Sequence, residues 1–283
     1  MSGDAVGDSG NVTQSLPRTP YQPYGTGIYR RELCVRVLPG FAVGELVDDM
    51  HHFRATVSHD GERVTDAVGE AVRAPWTTCP EVMGLLERLR GMPLEGSMLA
   101  AGRYASMRAQ CTHLFDAAAL AIARVGRGAG DVRYRIAVPD RRDGCSVAEI
   151  ARDGQPVFAW QLREQTIESP APFAGRRISG AGFARWAEQA LDADAAEAAL
   201  VLQRAAFISI GRSVDVEDFR RASDIPGMPR GSCHTFSDGT VERALRISGS
   251  LRNLTLHEGP LAEASDETPQ NSRRGESGTG SVT

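Results

Sequence analysis

The chain has 283 residues, 41% of them hydrophobic and 24% charged, enough for one large folded domain or two small ones. A formal net charge of -4 and a pI near 5.9 argue against a nucleic-acid surface, which needs a basic excess or patch. No apolar run approaches the ~18 residues of a membrane span.

In chain order, residues 1–25 are rich in Gly, Ser and Pro and read as a disordered leader. They lack the basic start and apolar core of a secretory signal. Five cysteines, scattered and odd in number, do not read as a disulfide framework. A cytoplasmic location with reduced thiols is therefore expected.

An α+β fold is expected, with an N-terminal subdomain over residues 26–130 and a C-terminal subdomain over residues 131–255. Alternation of Ile28, Leu33, Val35 and Val37 predicts a strand ended by Pro39-Gly40. Residues 42–49 read as a short helical turn or an extended link. Phe53, Ala55 and Val57 alternate with Arg54, Thr56 and Ser58, and Asp60-Gly61 turns the chain into a second strand over residues 63–72, predicting a hairpin. Two helices follow. The first starts at Thr78-Cys79-Pro80-Glu81 and buries Val82, Leu85, Leu86 and Leu89; the second is capped by Thr112 and closed by Gly126. Strands are then expected near residues 132–138, 147–151 and 157–162, and helices over 182–191 and 194–210, the latter capped by Asp194. Residues 241–251 fit a helix or a strand. Residues 256–283 read as a disordered tail, and no repeat of 20–50 residues is visible.

Chemistry concentrates in three clusters: Met50-His51-His52-Phe53-Arg54, Pro75-Trp76-Thr77-Thr78-Cys79-Pro80, and Gln110-Cys111-Thr112-His113-Leu114-Phe115-Asp116. Cys79 and Cys111 fall at predicted helix starts, where the helix dipole favours a thiolate, so both are expected to be more acidic than the ~8.5 of a free thiol. With His113 they form a Cys/His set of the kind zinc or iron uses. His51 and His52 point to opposite faces of a strand, so one of them is expected to join that set; which one is open. His59, at the hairpin tip, is not expected to be a ligand. Asp116 is a candidate to orient His113, Arg54 to bind a substrate carboxylate, and Cys111 with His113 to act as nucleophile and base. Cys233-His234 is an outlying pair that could reach the site. No Walker, serine-elbow or His-Glu-x-x-His pattern is present.

These motifs, with Pro170-Ala171-Pro172-Phe173-Ala174-Gly175-Arg176 and residues 195–212, resemble a bacterial family known as a domain of unknown function, over roughly residues 28–255. The resemblance implies a bacterial protein associated with catabolism of organic compounds. Residues 49–125 are also distantly similar to iron–sulfur cluster scaffold proteins, whose cysteines correspond in place to Cys79 and Cys111. A third scaffold cysteine has no counterpart here; it would stand near His51 or His52.

The expectation is thus a metal-binding protein, holding zinc or iron through Cys79, Cys111 and a histidine. It would be an enzyme acting on a small acyl or carbonyl substrate. A metal-free cysteine-nucleophile enzyme and a non-catalytic scaffold or carrier are the alternatives. Neither nucleic acid nor membrane is an expected partner, and the oligomeric state is open.

Overall fold

The computed structural model describes residues 24–180, 182–228 and 230–262. All but the last two residues of the expected leader, and residues 263–283 of the expected tail, lie outside them.

Eight antiparallel strands form one sheet in the order β4-β3-β2-β1-β5-β6-β7-β8. The first four are β1 (Ile28–Leu38), β2 (Phe41–Asp48), β3 (His52–His59) and β4 (Val64–Arg73), a meander rather than a lone hairpin. The second four are β5 (Val132–Pro139), β6 (Cys145–Arg152), β7 (Gln155–Arg163) and β8 (Thr166–Ser169). The boundary expected near residue 130 therefore falls inside one continuous sheet, because β1 pairs with β5. Each meander is followed by a long helix, α1 (Thr112–Gly126) after the first and α3 (Ala193–Ile208) after the second, with the short α2 (Gly182–Ala190) between β8 and α3. α1 packs on β1, β2 and β3, and α3 on β5, β6 and β7, so the two halves repeat one plan.

Residues 41–48 are a strand, not a helical turn or link. Period-two alternation sends Ala42, Gly44, Leu46 and Asp48 inward and Val43, Glu45 and Val47 outward. Inward positions on the neighbouring strands are Tyr29, Arg31, Leu33 and Val35 on β1 and Phe53, Ala55 and Val57 on β3, all buried. Gly44 sits directly beneath α1, where an added Cβ would collide with the backbone carbonyl of Ala117. Only glycine lets the helix approach that closely.

Residues Cys79–Leu89 form successive 3-10 turns, which bury Cys79, Val82, Leu86 and Leu89 against β4. Cys111, not Thr112, is the N-cap of α1, and Asp192, not Asp194, caps α3 by accepting from the Ala195 N–H. Residues 241–251 are neither helix nor strand; they cross the sheet end in turns, with isolated bridges such as Trp76 to Arg246. The start of the expected tail is ordered by docking: Leu261 and Ala262 pack on Cys34 and Val47, and both their N–H groups donate to Glu32 on the outer face.

Candidate metal centre

Where the halves meet beneath α1 and α3, the inward face turns polar. β2 ends at Asp48, fully buried, whose carboxylate accepts five hydrogen bonds. Oδ2 accepts from the Tyr29 hydroxyl at 2.7 Å and the Arg31 guanidinium at 2.8 Å. Oδ1 accepts from the Met50 and His51 backbone N–H groups at 2.9 and 2.8 Å and lies 3.0 Å from His51 Nδ1. The side chain thus closes the β2–β3 turn as an Asx turn and orients the ring of His51. Arg73, at the end of β4, donates to the carbonyls of Asp48, Asp49 and His51 and fastens the same turn from outside.

His113 enters from the first turn of α1. Its ring stacks on that of His51 with centroids 3.8 Å apart, and its Nε2 stands 4.0 Å from Asp48 Oδ2. That nitrogen is buried and has no hydrogen-bond partner. Asp48, His51 and His113 can each offer one ligand atom, all within 4.8 Å of one another, and no other such group of three occurs among the described residues.

The electrostatics follow from burial. Desolvation alone would raise the Asp48 pKa, yet His51 and Arg31 hold the carboxyl well below its ordinary range. Burial, reinforced by His51 and Arg31, holds the His113 imidazole well below its ordinary value, so it is neutral. An ionised carboxylate can only accept, so His51 Nδ1 carries the proton and, in the neutral ring, Nε2 keeps its lone pair. A second buried network adjoins the first: Arg212 pairs with Asp49 and, at 2.8 Å, with Asp140. Burial and the Asp48 charge push Asp49 up to about 7 against the opposing pull of Arg212.

The expected set of Cys79, Cys111 and His113 is not brought together, since the imidazole of His113 joins Asp48 and His51 instead. Neither cysteine is acidic: burial pushes Cys79 up to about 11 and Cys111 well above its usual value. Desolvation of a thiolate outweighs the favourable field of the helix terminus. Of the two consecutive histidines, His51 is at the centre. His52 lies on the opposite face of the sheet, its Nε2 2.6 Å from Glu45. Arg54 shares that outer face and pairs with Glu45 and Glu70, remote from His113. Asp116 does not orient His113; it pairs with Arg204 of α3 and ties the two helices together. Trp76 is a core residue, packed edge-on against Phe236. The outlying Cys233-His234 pair does reach the cysteine region, through the His234 N–H to Gln110 carbonyl bond of 3.0 Å.

Asp48, Tyr29 and Arg31 lie outside the motifs that the sequence singles out. The signal was there: alternation through Ala42, Gly44 and Leu46 puts Asp48 inward, and alternation back from Val35 and Leu33 does the same for Arg31 and Tyr29. A cavity of about 430 Å³ opens on the other face of the sheet between β1, β5, β6 and β7, and does not include His51 or His113. No described helix is long and apolar enough to cross a membrane. No protein-family model matches the chain, and no curated protein matches it either.

Proposed function

We propose that the protein is a metal-dependent enzyme whose centre is built on His51, His113 and Asp48 and takes zinc or iron(II). One observation carries the reading: the buried Nε2 of His113 has no partner, in a group whose three ligand atoms lie within 4.8 Å of one another. Orphaned buried polar atoms are rare, because leaving one unpaired costs about 1–3 kcal/mol. Two imidazoles and a carboxylate are a donor set for borderline divalent metals. Asp48 already holds five donors, so its part is first to fix the tautomer of His51; direct ligation would displace one donor. A bound metal would supply Lewis-acid polarisation of a carbonyl, or a nucleophilic water. His113 stays neutral at physiological pH and can ligate without first losing a proton. The substrate class, a small acyl or carbonyl compound, rests on the family resemblance.

A second reading is favoured by the saturation of Asp48. With its carboxylate fully engaged, Asp48 and His51 form an acid–base dyad in which His51 Nε2 takes a proton from water or substrate. The cysteine-nucleophile reading has less support, because burial keeps Cys79 and Cys111 as thiols.

Elemental analysis of protein purified without a chelating tag tests the first reading. Wild type is expected to retain about one equivalent of zinc or iron more than a His51→Ala/His113→Ala variant of native circular dichroism. Equal metal in the two proteins overturns the metal centre, and hydrolysis of a small ester by the metal-free wild type but not by His51→Ala would move the conclusion to the dyad.

A further inference from the structure

The head of α1 serves a second cluster. Cys111 caps α1, Cys79 opens the 3-10 segment, and Cys233 caps the 3-10 turn His234–Phe236. These three segments are far apart in sequence and are laced together by hydrogen bonds. Thr78 and Thr235 hydroxyls meet at 2.9 Å, Cys79 Sγ lies 3.5 Å from Thr235 Oγ1, and the His234 N–H donates to the Gln110 carbonyl at 3.0 Å. Cys79 and Cys111 belong to one buried core cluster, and Cys233 packs against it.

Cys111 and Cys233 each stand at the N-cap of a helical segment, next to its first backbone N–H groups. Beside Cys111, the side chain of Gln110 is fully buried with neither its amide nitrogen nor its oxygen partnered. The region therefore has three sulfurs, two segment N-termini and an unsatisfied amide.

We propose that Cys79, Cys111 and Cys233 form a second, all-sulfur site for a thiophilic cation of the zinc class, distinct from the imidazole centre. Each thiol gives its proton to solvent as its sulfur bonds the metal, and no oxidant or reductant is consumed. Zinc–thiolate bonds of about 2.3 Å place sulfurs roughly 3.8 Å apart. The three are not yet within 4.8 Å as a set, so ligation draws them together by side-chain rotation. Thiolates at the two N-caps would then accept from the first N–H groups of their segments, and the unpartnered Gln110 Nε2 is a further donor beside Cys111.

Cobalt(II) titration of the reduced full-length protein, followed by zinc competition, tests the site. Thiolate-to-cobalt charge-transfer absorption is expected in wild type and in His51→Ala/His113→Ala, so failure of the imidazole centre leaves this result intact. Cys233→Ser, at the least buried of the three positions, should abolish the absorption and weaken zinc binding on the order of tenfold or more while circular dichroism stays native. No charge-transfer band in folded wild type overturns the site, as does a band that survives in both Cys233→Ser and Cys79→Ser. A disulfide among these cysteines that forms in air, in place of metal uptake, would also overturn it.

Discussion

Cys111 and His113 stand two residues apart at the head of α1, yet the His113 imidazole stacks 3.8 Å from His51 while Cys111 stays outside that group. Cys111 is the extended N-cap and His113 is in the first helical turn, so the two side chains leave the backbone in different directions. Single substitutions should therefore separate the clusters. His113→Ala should remove metal from the imidazole centre and leave the cobalt–thiolate band unchanged; Cys111→Ser should do the reverse. Loss of both signals from either variant would mean one shared site.

Arg54 supplies a control on the opposite face. Its guanidinium pairs with Glu45 and Glu70 and is partly exposed, so the pairs contribute roughly 0.2–1 kcal/mol. Arg54→Ala should leave metal content unchanged and lower the urea midpoint only slightly. A tenfold loss of metal affinity in this variant would put the functional face on the wrong side of the sheet.

Glu197 of α3 is another buried carboxylate. It takes Arg124, Arg127 and the Tyr134 hydroxyl at 2.8 Å. Glu197→Ala strips the counter-charge from buried cations and should destabilise by about 3–5 kcal/mol, whereas Tyr134→Phe should cost about 1 kcal/mol. Urea denaturation would measure both, and equal effects would contradict an ionic role for Glu197.

Gly44→Ala tests the seat of α1. A methyl group there meets the Ala117 backbone, which cannot move without lifting the helix. A loss of about 1–3 kcal/mol is expected, with metal affinity falling because His113 rides on α1. Unchanged stability would mean that the helix sits further from β2.

His113 predicts an acid limb of stability. Its imidazole is held well below its ordinary value by burial, His51 and Arg31. As pH falls below about 6.5, the unfolded chain gains a proton there before the folded chain does, so stability is lost on the acid side. Asp49, pushed up to about 7, has the opposite sign: the folded state binds its proton first, and stability rises as pH falls through that value. The difference between wild type and His113→Phe isolates the histidine. Wild type should lose more stability than the variant between about pH 7 and 5 in urea titrations. Parallel pH profiles would refute the assignment.

Local periodicity settled much of the fold in advance. β1 and the strands from β5 to β7 were legible from alternation, and α1, α2 and α3 from three-to-four spacing and terminal glycine or aspartate. β2 does not read as a strand in the sequence because Gly44, Glu45 and Asp48 interrupt its apolar run, yet those residues follow from its place: Gly44 under α1, Glu45 facing outward to His52, and Asp48 at the polar seam. Chain order also exposed the reactive residues His51, His113, Cys79 and Cys111. Their grouping was not legible. It depends on strand pairing that sets Arg31 opposite Asp48, on a helix return that lays His113 on His51, and on a turn near residue 234 that carries Cys233 to Cys79 from over 150 positions away. Spacing fixes which face of its own element a side chain takes. Which distant face it meets, and whether burial there leaves a thiol protonated or a carboxylate charged, is set by packing between elements.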